Sequence, residues 1–360
     1  MEHYYAMILA GGGGTRLWPM SRQDKPKQLL PLVEDDSMYK VTVRRLAPLF
    51  QPENIYVVTG RKYFDTLRAD TPEIPAENFI IEPYGLNTAP AVARGLTVIQ
   101  QRDPDATVAI MHADHSISNK EDYIDVLHTA HELAQQGRIV TLGIEPSFPA
   151  VEFGYIRRGK ALTRINNHNC YETLGFTEKP DAPTASQFLE SGEYSWNAGI
   201  FIWRIQRAMA EFERQQPDMY EQFASIRHLV GKPEFEETLE SIWHNIRSMP
   251  IDTAVMENAE DMAVIPVDIG WNDIGSWSAL YEVLRLDKNG NHFKGRSPVR
   301  VNLDTENTLV YSDKLVVTIG VEDLIVVETD DALLVCHKDR AQDVKEVVNR
   351  LLTNKNYKYL

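Results

Sequence analysis

Cysteine is scarce in these 360 residues, with only Cys170 and Cys336 present. The two stand far apart in apolar, strand-like stretches, so one disulfide is formally possible, but two buried free thiols in a reducing compartment fit the pattern better. No segment approaches the roughly 18 consecutive apolar residues of a membrane-spanning helix. The N-terminus, MEHYYAMILAGG, lacks the basic start and long apolar run of a secretory leader, which makes a cytoplasmic protein the expectation. Positive charge is in deficit as well: 37 Lys and Arg against 52 Asp and Glu give a net charge of −15. Such a chain repels nucleic acid and anionic lipid, so neither is an expected partner. Ten histidines are scattered without a His-Glu-x-x-His pair or another metal spacing, and no Gly-x-Ser-x-Gly elbow occurs, leaving zinc-enzyme and hydrolase readings without support.

What is present is an ordinary globular composition, 43% hydrophobic and 25% charged. At roughly 150 residues per domain the length suits two or three domains. Runs at 5–10, 54–59, 79–82, 108–113 and 139–144 are rich in Val, Ile and Leu and do not alternate with polar residues. Strands buried on both faces read this way. Between them lie helical patterns such as 120–136, which sets Tyr123, Leu127, Ala130 and Ala134 on one face. Strand, helix, strand, repeated, predicts a parallel sheet covered on both sides. The middle third offers strands at 170–177, 199–204 and 263–268 and helices over 205–245. From about residue 290 the texture changes to short β-runs at close spacing, closed by a helix with Val344, Val347, Val348, Leu351 and Leu352 as its apolar stripe. No fixed-period repeat is visible there. The expected division is therefore 1–289 and 290–360.

The strongest local feature is LAGGGGTRLWPMSRQDKPKQLLPL, residues 9–32. Four glycines, Gly11, Gly12, Gly13 and Gly14, follow the first strand, and such a loop lets backbone N–H groups approach phosphate oxygens. The P-loop is excluded because Thr15 and Arg16 follow the glycines, and the dinucleotide fingerprint because its last glycine position is Arg16. Arg16, Arg22, Lys25 and Lys27 add four cations to a chain that is otherwise acidic, with Pro19 and Pro26 stiffening the path. A triphosphate requires this combination of peptide dipoles and fixed positive charge.

This segment resembles the signature of the sugar-1-phosphate nucleotidyltransferases. Its Leu-Trp-Pro and Pro-Lys-Gln elements are similar to those of mannose-1-phosphate guanylyltransferases, and five further segments agree in order over nearly the whole chain. The resemblance implies an α/β fold: a Rossmann-like mixed, mainly parallel sheet flanked by helices, glycosyltransferase-A-like, with a small C-terminal β-rich, β-helix-like domain. It implies formation of GDP-mannose and pyrophosphate from GTP and mannose 1-phosphate, with Mg²⁺ as cofactor. It also implies that Leu9, the glycines and Thr15 bind nucleotide, and that Arg16, Lys27 and Lys179 carry the catalysis. The same chemistry on another nucleotide and hexose 1-phosphate, or a silent regulatory subunit, are the alternatives. A regulatory subunit would be expected to lose Arg16, Lys27, Asp114, Lys179 or Asp273, all of which this chain retains.

The remaining positions have a plain reading beside the implied one. Asp114, in HADH at the end of the strand 108–113, stands where open α/β sheets bind ligands, yet such an Asp is more often a turn or cap residue. Asp273, in VDIGWNDIGSWSAL, reads as a cap for the helix starting near Ser276. The family makes these two the metal ligands, and two carboxylates suffice for Mg²⁺. His112 and Asn272 stand where the family commonly has Pro and Ser. Lys179 in FTEKP reads as a surface lysine, and Asn87 and Thr88 in EPYGLNTAPA read as N-cap candidates. The resemblance puts the sugar phosphate on Lys179, the sugar on Glu178, Asn197, Gly154 and Tyr155, and the purine against 82–91, where Glu82 would accept from the N1 and N2 donors of guanine. It gives residues 290–360 to subunit contact, implying a homo-oligomer with a dimer favoured. No isomerase activity is expected, since relatives that have it carry a further domain.

Overall fold

The structure is a computed structural model and describes residues 2–12, 14–297 and 299–360. In chain order the first elements are β1 (Tyr4–Ala10), α1 (Met38–Leu46), β2 (Ile55–Gly60), α2 (Phe64–Asp70), β3 (Phe79–Glu82), α3 (Thr88–Arg102), β4 (Thr107–His112) and the short β5 (Ser116–Ile117). There follow α4 (Lys120–Ala134), β6 (Ile139–Ile144), β7 (Tyr155–Ile165), β8 (His168–Thr177), α5 (Ala182–Ser191), β9 (Tyr194–Arg204), α6 (Ile205–Gln215), α7 (Pro217–Ile226), α8 (Glu234–Trp243), α9 (Ile251–Ala254) and β10 (Met262–Pro266). The chain ends with β11 (Trp271–Asn272), α10 (Trp277–Val283), β12 (His292–Lys294), β13 (Val301–Leu303), β14 (Leu309–Tyr311), β15 (Val317–Ile319), β16 (Leu324–Glu328), β17 (Leu333–His337) and α11 (Val344–Thr353).

Two compact units share these elements, and their division differs from a cut near residue 290. The first comprises residues up to Gly11, Val43–Ala113 and Ile117–Trp271; the second comprises Gly12–Thr42, Asp114–Ser116 and Asn272–Leu360.

The first unit is built on a nine-stranded sheet in the order β3-β2-β1-β4-β9-β6-β10-β8-β7. All seven residues of β1 are buried, as its unbroken apolar run requires for a strand covered on both faces. The strands β3, β2, β1 and β4 are parallel throughout. The strand β9 runs antiparallel between β4 and β6, and β7 and β8 form an antiparallel pair, so the second half of the sheet is mixed. The long strand β7 is among the elements that sequence patterning did not anticipate, as are α1, α2 and α5. Its residues beyond Ile156 are mostly exposed, so it shows no continuous apolar run. Helix α3 lies close on the sheet: a Cβ at Gly95 would stand 2.0 Å from the Met7 sulfur, which explains a glycine in mid-helix. Helix α4 buries Tyr123, Leu127, Ala130 and Ala134, the stripe read from sequence.

The second unit has its own core, in which Leu17, Trp18, Leu30 and Leu32 pack with Ile274, Trp277, Leu309, Ile325, Val327, Val344 and Val348. The arm that follows the glycines is therefore folded onto the C-terminal β-strands. Those strands do carry a fixed period. Leu309 lies opposite Ile325, Val301 opposite Val317 and Glu306 opposite Glu322, sixteen residues apart in each case. The corners repeat at the same spacing, with positive φ at Asp304 and Gly320 and again at Asn307 and Asp323. Asn, Asp and Gly all tolerate this conformation, which hides the repeat from composition. Both cysteines are free; Cys170 is buried and Cys336 half-buried. No described helix is long and apolar enough to cross a membrane.

Candidate active site

In the second unit the glycine loop turns directly into a 3₁₀ turn at Thr15–Leu17. Gly12 and Gly14 both have positive φ, 95° and 54°, and a Cβ at Gly14 would meet the Lys27 Cβ at 2.6 Å. Glycine is thus required at 14 so that the loop can lie against the segment carrying Lys27. At Gly12 a Cβ would find nothing within 4 Å, which leaves the backbone bare to a ligand. Gly13 lies outside the described residues.

Lys27 is buried, its side chain only 8% exposed, and its ammonium donates to Asp114 Oδ2 at 2.8 Å and to the Asp273 carbonyl oxygen. Asp273 Oδ1 accepts from Gly275 N at 3.0 Å, while Oδ2 takes no hydrogen bond from the described residues. Burial pushes the Asp273 carboxyl above its ordinary value; Lys27 and Arg16 pull it down, and Asp114 pushes it up again. Arg16, Lys27, Asp114 and Asp273 therefore form one charge cluster. Helix α10 is capped by Ser276, whose Oγ accepts from Ala279 N at 3.2 Å, so the cap expected of Asp273 is made by Ser276. Two hard carboxylates beside fixed cations match the oxygen donors that Mg²⁺ prefers. His112 and His115 bring two imidazoles to Asp114, with one potential ligand atom of each of the three residues within 4.8 Å of the others, a grouping that the residue spacing did not single out.

Arg22 is not available to a phosphate. It pairs with Asp331 at 2.8 Å, donates to the Tyr359 carbonyl and lies over the Trp18 ring. Leu9, in the first unit, is a core residue whose carbonyl accepts from Ala113 N at 3.0 Å, so its side chain is not presented to a nucleotide. Thr15 is exposed at the start of the turn.

A second polar cluster lies in the first unit at the ends of β7, β8 and β9. Lys179 holds an unusual positive φ of 45° just after β8 and pairs with its neighbour Glu178. A side chain at Gly154 would meet Glu178 Oε2 at 2.6 Å, so only glycine leaves the Glu178 carboxylate where it is. The Asn197 backbone N–H donates to the Gly154 carbonyl at 2.8 Å, and its side chain donates to Asp252 Oδ1 at 2.9 Å. The structure thus brings Gly154, Glu178, Lys179 and Asn197 together and adds Asp252, which sequence reasoning missed; an Asp in the short α9 gives no local signal. Tyr155 does not belong to this cluster. It is fully buried, packs against Phe188 and Tyr194, and its hydroxyl donates to the Ala150 carbonyl at 2.9 Å. Its apolar ring is part of a small core that supports the strand ends.

Glu82 ends β3, and its carboxylate is buried with Oε1 unpartnered among the described residues. Burial pushes it up to about 7, against the pull of Arg94. Arg94 is itself buried on α3 and pairs with Glu236 at 3.2 Å, and its Nε and Nη1 have no hydrogen-bond partner among the described residues. Asn87 is the N-cap of α3, its Oδ1 accepting from Thr88 N at 2.9 Å, and the Thr88 hydroxyl accepts from Ile251 N at 2.8 Å. The capping reading of Asn87 therefore holds, and Thr88 ties α3 to the segment before α9.

Residues 5–290 match the family described as Nucleotidyl transferase, and 299–351 match the MannoseP isomerase/GMP-like beta-helix domain. A mannose-1-phosphate guanylyltransferase of Klebsiella pneumoniae is 38% identical over 98% of this chain and 75% of its own length. The Xanthan biosynthesis protein XanB of Xanthomonas campestris is 37% identical over 98% of this chain and 74% of its own length. A solved Thermus thermophilus protein named mannose-1-phosphate geranyltransferase superposes with a TM-score of 0.84 at 35% identity, covering 97% of this chain and 99% of that one. With a glycine loop, a buried lysine between two aspartates and these relatives over nearly its full length, the chain belongs to the nucleotidyl transferase family, among the mannose-1-phosphate guanylyltransferases.

Proposed function

We propose that this protein transfers a guanylyl group from GTP to α-D-mannose 1-phosphate, releasing pyrophosphate and leaving GDP-mannose. An oxygen of the sugar phosphate attacks the α-phosphorus; the new P–O bond forms as the bond to the bridging β-phosphate oxygen breaks. The nucleophile is already an anion, so no general base is needed. The obstacle is repulsion between two polyanions, and catalysis then rests on positioning and charge neutralisation. Arg16 and Lys27 take the charge that develops on the pyrophosphate, with the bare loop amides at Gly11 and Gly12 as further donors. Lys179 holds the sugar phosphate, and Glu178 and Asn197 the sugar hydroxyls. Asp114 and Asp273 are the residues that would hold Mg²⁺, which when bound supplies further neutralisation of phosphate charge. The buried Lys27 between Asp114 and Asp273 is the observation that carries this reading.

Glu82 and its unpartnered oxygen support recognition of guanine through the N1 and N2 donors. The second unit supports self-association: Val301 and Leu303 of β13 and Val317 and Ile319 of β15 leave an apolar face exposed. A second copy would cover it, and Val317→Glu with Ile319→Glu should then lower the mass measured by light scattering. The deciding experiment is pyrophosphate release across four nucleoside triphosphates and several hexose 1-phosphates, with and without Mg²⁺. GTP with mannose 1-phosphate should give the highest rate, and a matrix led by another pair overturns the assignment.

A further inference from the structure

The cluster at the ends of β7, β8 and β9 contains a carboxylate to which the proposed reaction assigns nothing. Asp252 sits on α9, where its Oδ1 accepts from Asn197 Nδ2 at 2.9 Å. On its other side Asn197 Oδ1 accepts from Gly199 N at 3.0 Å. A peptide N–H can only donate, so the carbonyl end of the Asn197 amide must face Gly199 and the NH₂ end must face Asp252. The neighbours therefore fix which way round the amide sits, and its second N–H, which no described residue accepts, points to a ligand as its partner. The segment bearing Asp252 is held in turn, since Ile251 N donates to the Thr88 hydroxyl and Ala89 N to the Met249 carbonyl at 3.0 Å. Glu178 and Lys179 are the charged groups that face Asp252. Burial, and then Glu178, push its carboxyl up to about 6, against the pull of Lys179 and of the Asn197 amide.

We infer that Asp252 is a positioning residue of the hexose subsite: it holds the Asn197 amide so that an N–H donor, and not a carbonyl, is offered to a sugar hydroxyl. This rests on the reading that Asn197 meets the sugar. Asp252 does not touch the nucleotide or the transferred phosphorus in this scheme, so its loss should weaken the hexose 1-phosphate alone.

Three variants test it by steady-state kinetics and thermal melting. Asp252→Leu removes the acceptor and should raise KM for mannose 1-phosphate about tenfold or more, with KM for GTP within about twofold. Asp252→Asn keeps an acceptor oxygen in place and should recover most of that loss. The exchange Asn197→Asp with Asp252→Asn restores a hydrogen bond across the pair but reverses its direction. It should melt close to the parent enzyme while KM for mannose 1-phosphate stays raised. An unchanged KM in Asp252→Leu, an equal rise for both substrates, or full kinetic recovery in the exchanged pair would each overturn the inference. If the parent releases no pyrophosphate from GTP and any hexose 1-phosphate, the reaction assignment fails instead. Calorimetric binding of the hexose 1-phosphate to the same variants then decides the role of Asp252.

Discussion

Two lysines in this protein are paired with carboxylates, and the pairs differ in what surrounds them. In Lys27–Asp114 the lysine side chain is 8% exposed and the aspartate 25%; in Lys179–Glu178 the lysine is 61% exposed and the glutamate 14%. Lys27 is also anchored on the Asp273 carbonyl and packed against Gly14, so its ammonium has little freedom. Among the described residues Lys179 pairs with its neighbour in sequence, Glu178, and in the proposed reaction it leaves that carboxylate for a phosphate. The first arrangement is preorganised, with its conformational cost met during folding; the second completes itself when substrate arrives. A fixed cation suits charge that develops in the transition state. A mobile one suits capture of a ground-state anion.

The comparison breaks most visibly at Lys27. Replacing it by Met removes one of the two cations that act on the half-buried Asp273 and leaves Arg16 as the other. We expect kcat to fall by about 10²–10³, as for loss of a preorganised transition-state donor. Stability should fall too, by about 3–5 kcal/mol, the usual cost of removing one partner of a buried pair. Added Mg²⁺ should restore part of the melting temperature by taking up the same carboxylates. A variant that melts like the parent, with no response to Mg²⁺, would show that the two aspartates do not share a charge site.

Lys179→Ala should behave in the opposite way. The effect is expected in KM for mannose 1-phosphate, by about tenfold to a hundredfold, consistent with a charged hydrogen bond of roughly 1.5–3 kcal/mol. The melting temperature should not move, because exposed ion pairs contribute little to stability. A loss in kcat as large as that of Lys27→Met, with KM unchanged, would erase the distinction between the two lysines.

How much of this could be read from the sequence follows the same contrast between continuous and dispersed signals. The strands β1, β2, β3, β4 and β6 are short, apolar and buried on both faces, so patterning located them within a residue or two. The glycine loop and its lysine carried their own local motif. The charge cluster did not, since Lys27, Asp114 and Asp273 come from three distant segments and only the fold joins them. Asp252 was illegible for the same reason. The sixteen-residue repeat was hidden because its corners are filled by Asp, Asn or Gly interchangeably and its strands are only three to five residues long. That the side chains of Leu9 and Tyr155 are buried was not legible either, because a motif names positions without saying which way a side chain points. Arg22 looked like a phosphate cation until the C-terminal residues that occupy it were folded against it.

Glu82 and Arg94 sharpen the comparison to its smallest expected effect. Here carboxylate and guanidinium are both buried, yet Glu82 Oε1 finds no hydrogen-bond donor among the described residues. The carboxyl is raised from 4.5 to about 7, so between those values the folded protein keeps a proton that the unfolded chain has lost. Stability should therefore fall as pH rises through that window and level off above it, by at most about 3 kcal/mol at roughly 1.4 kcal/mol per unit. Glu82→Gln, neutral throughout, should abolish the slope in denaturant titrations compared at the two ends of the window. Guanine offers two N–H donors, which favour the ionised carboxylate, so GTP binding near neutral pH should release a proton into the buffer. Adenine, with an acceptor at N1 and no amino group at C2, should release none. Calorimetry in buffers of differing ionisation enthalpy measures this directly. Equal proton release with GTP and ATP, or a Glu82→Ala enzyme with unchanged preference for GTP, would remove Glu82 from base recognition and leave its raised pKa a property of the core alone.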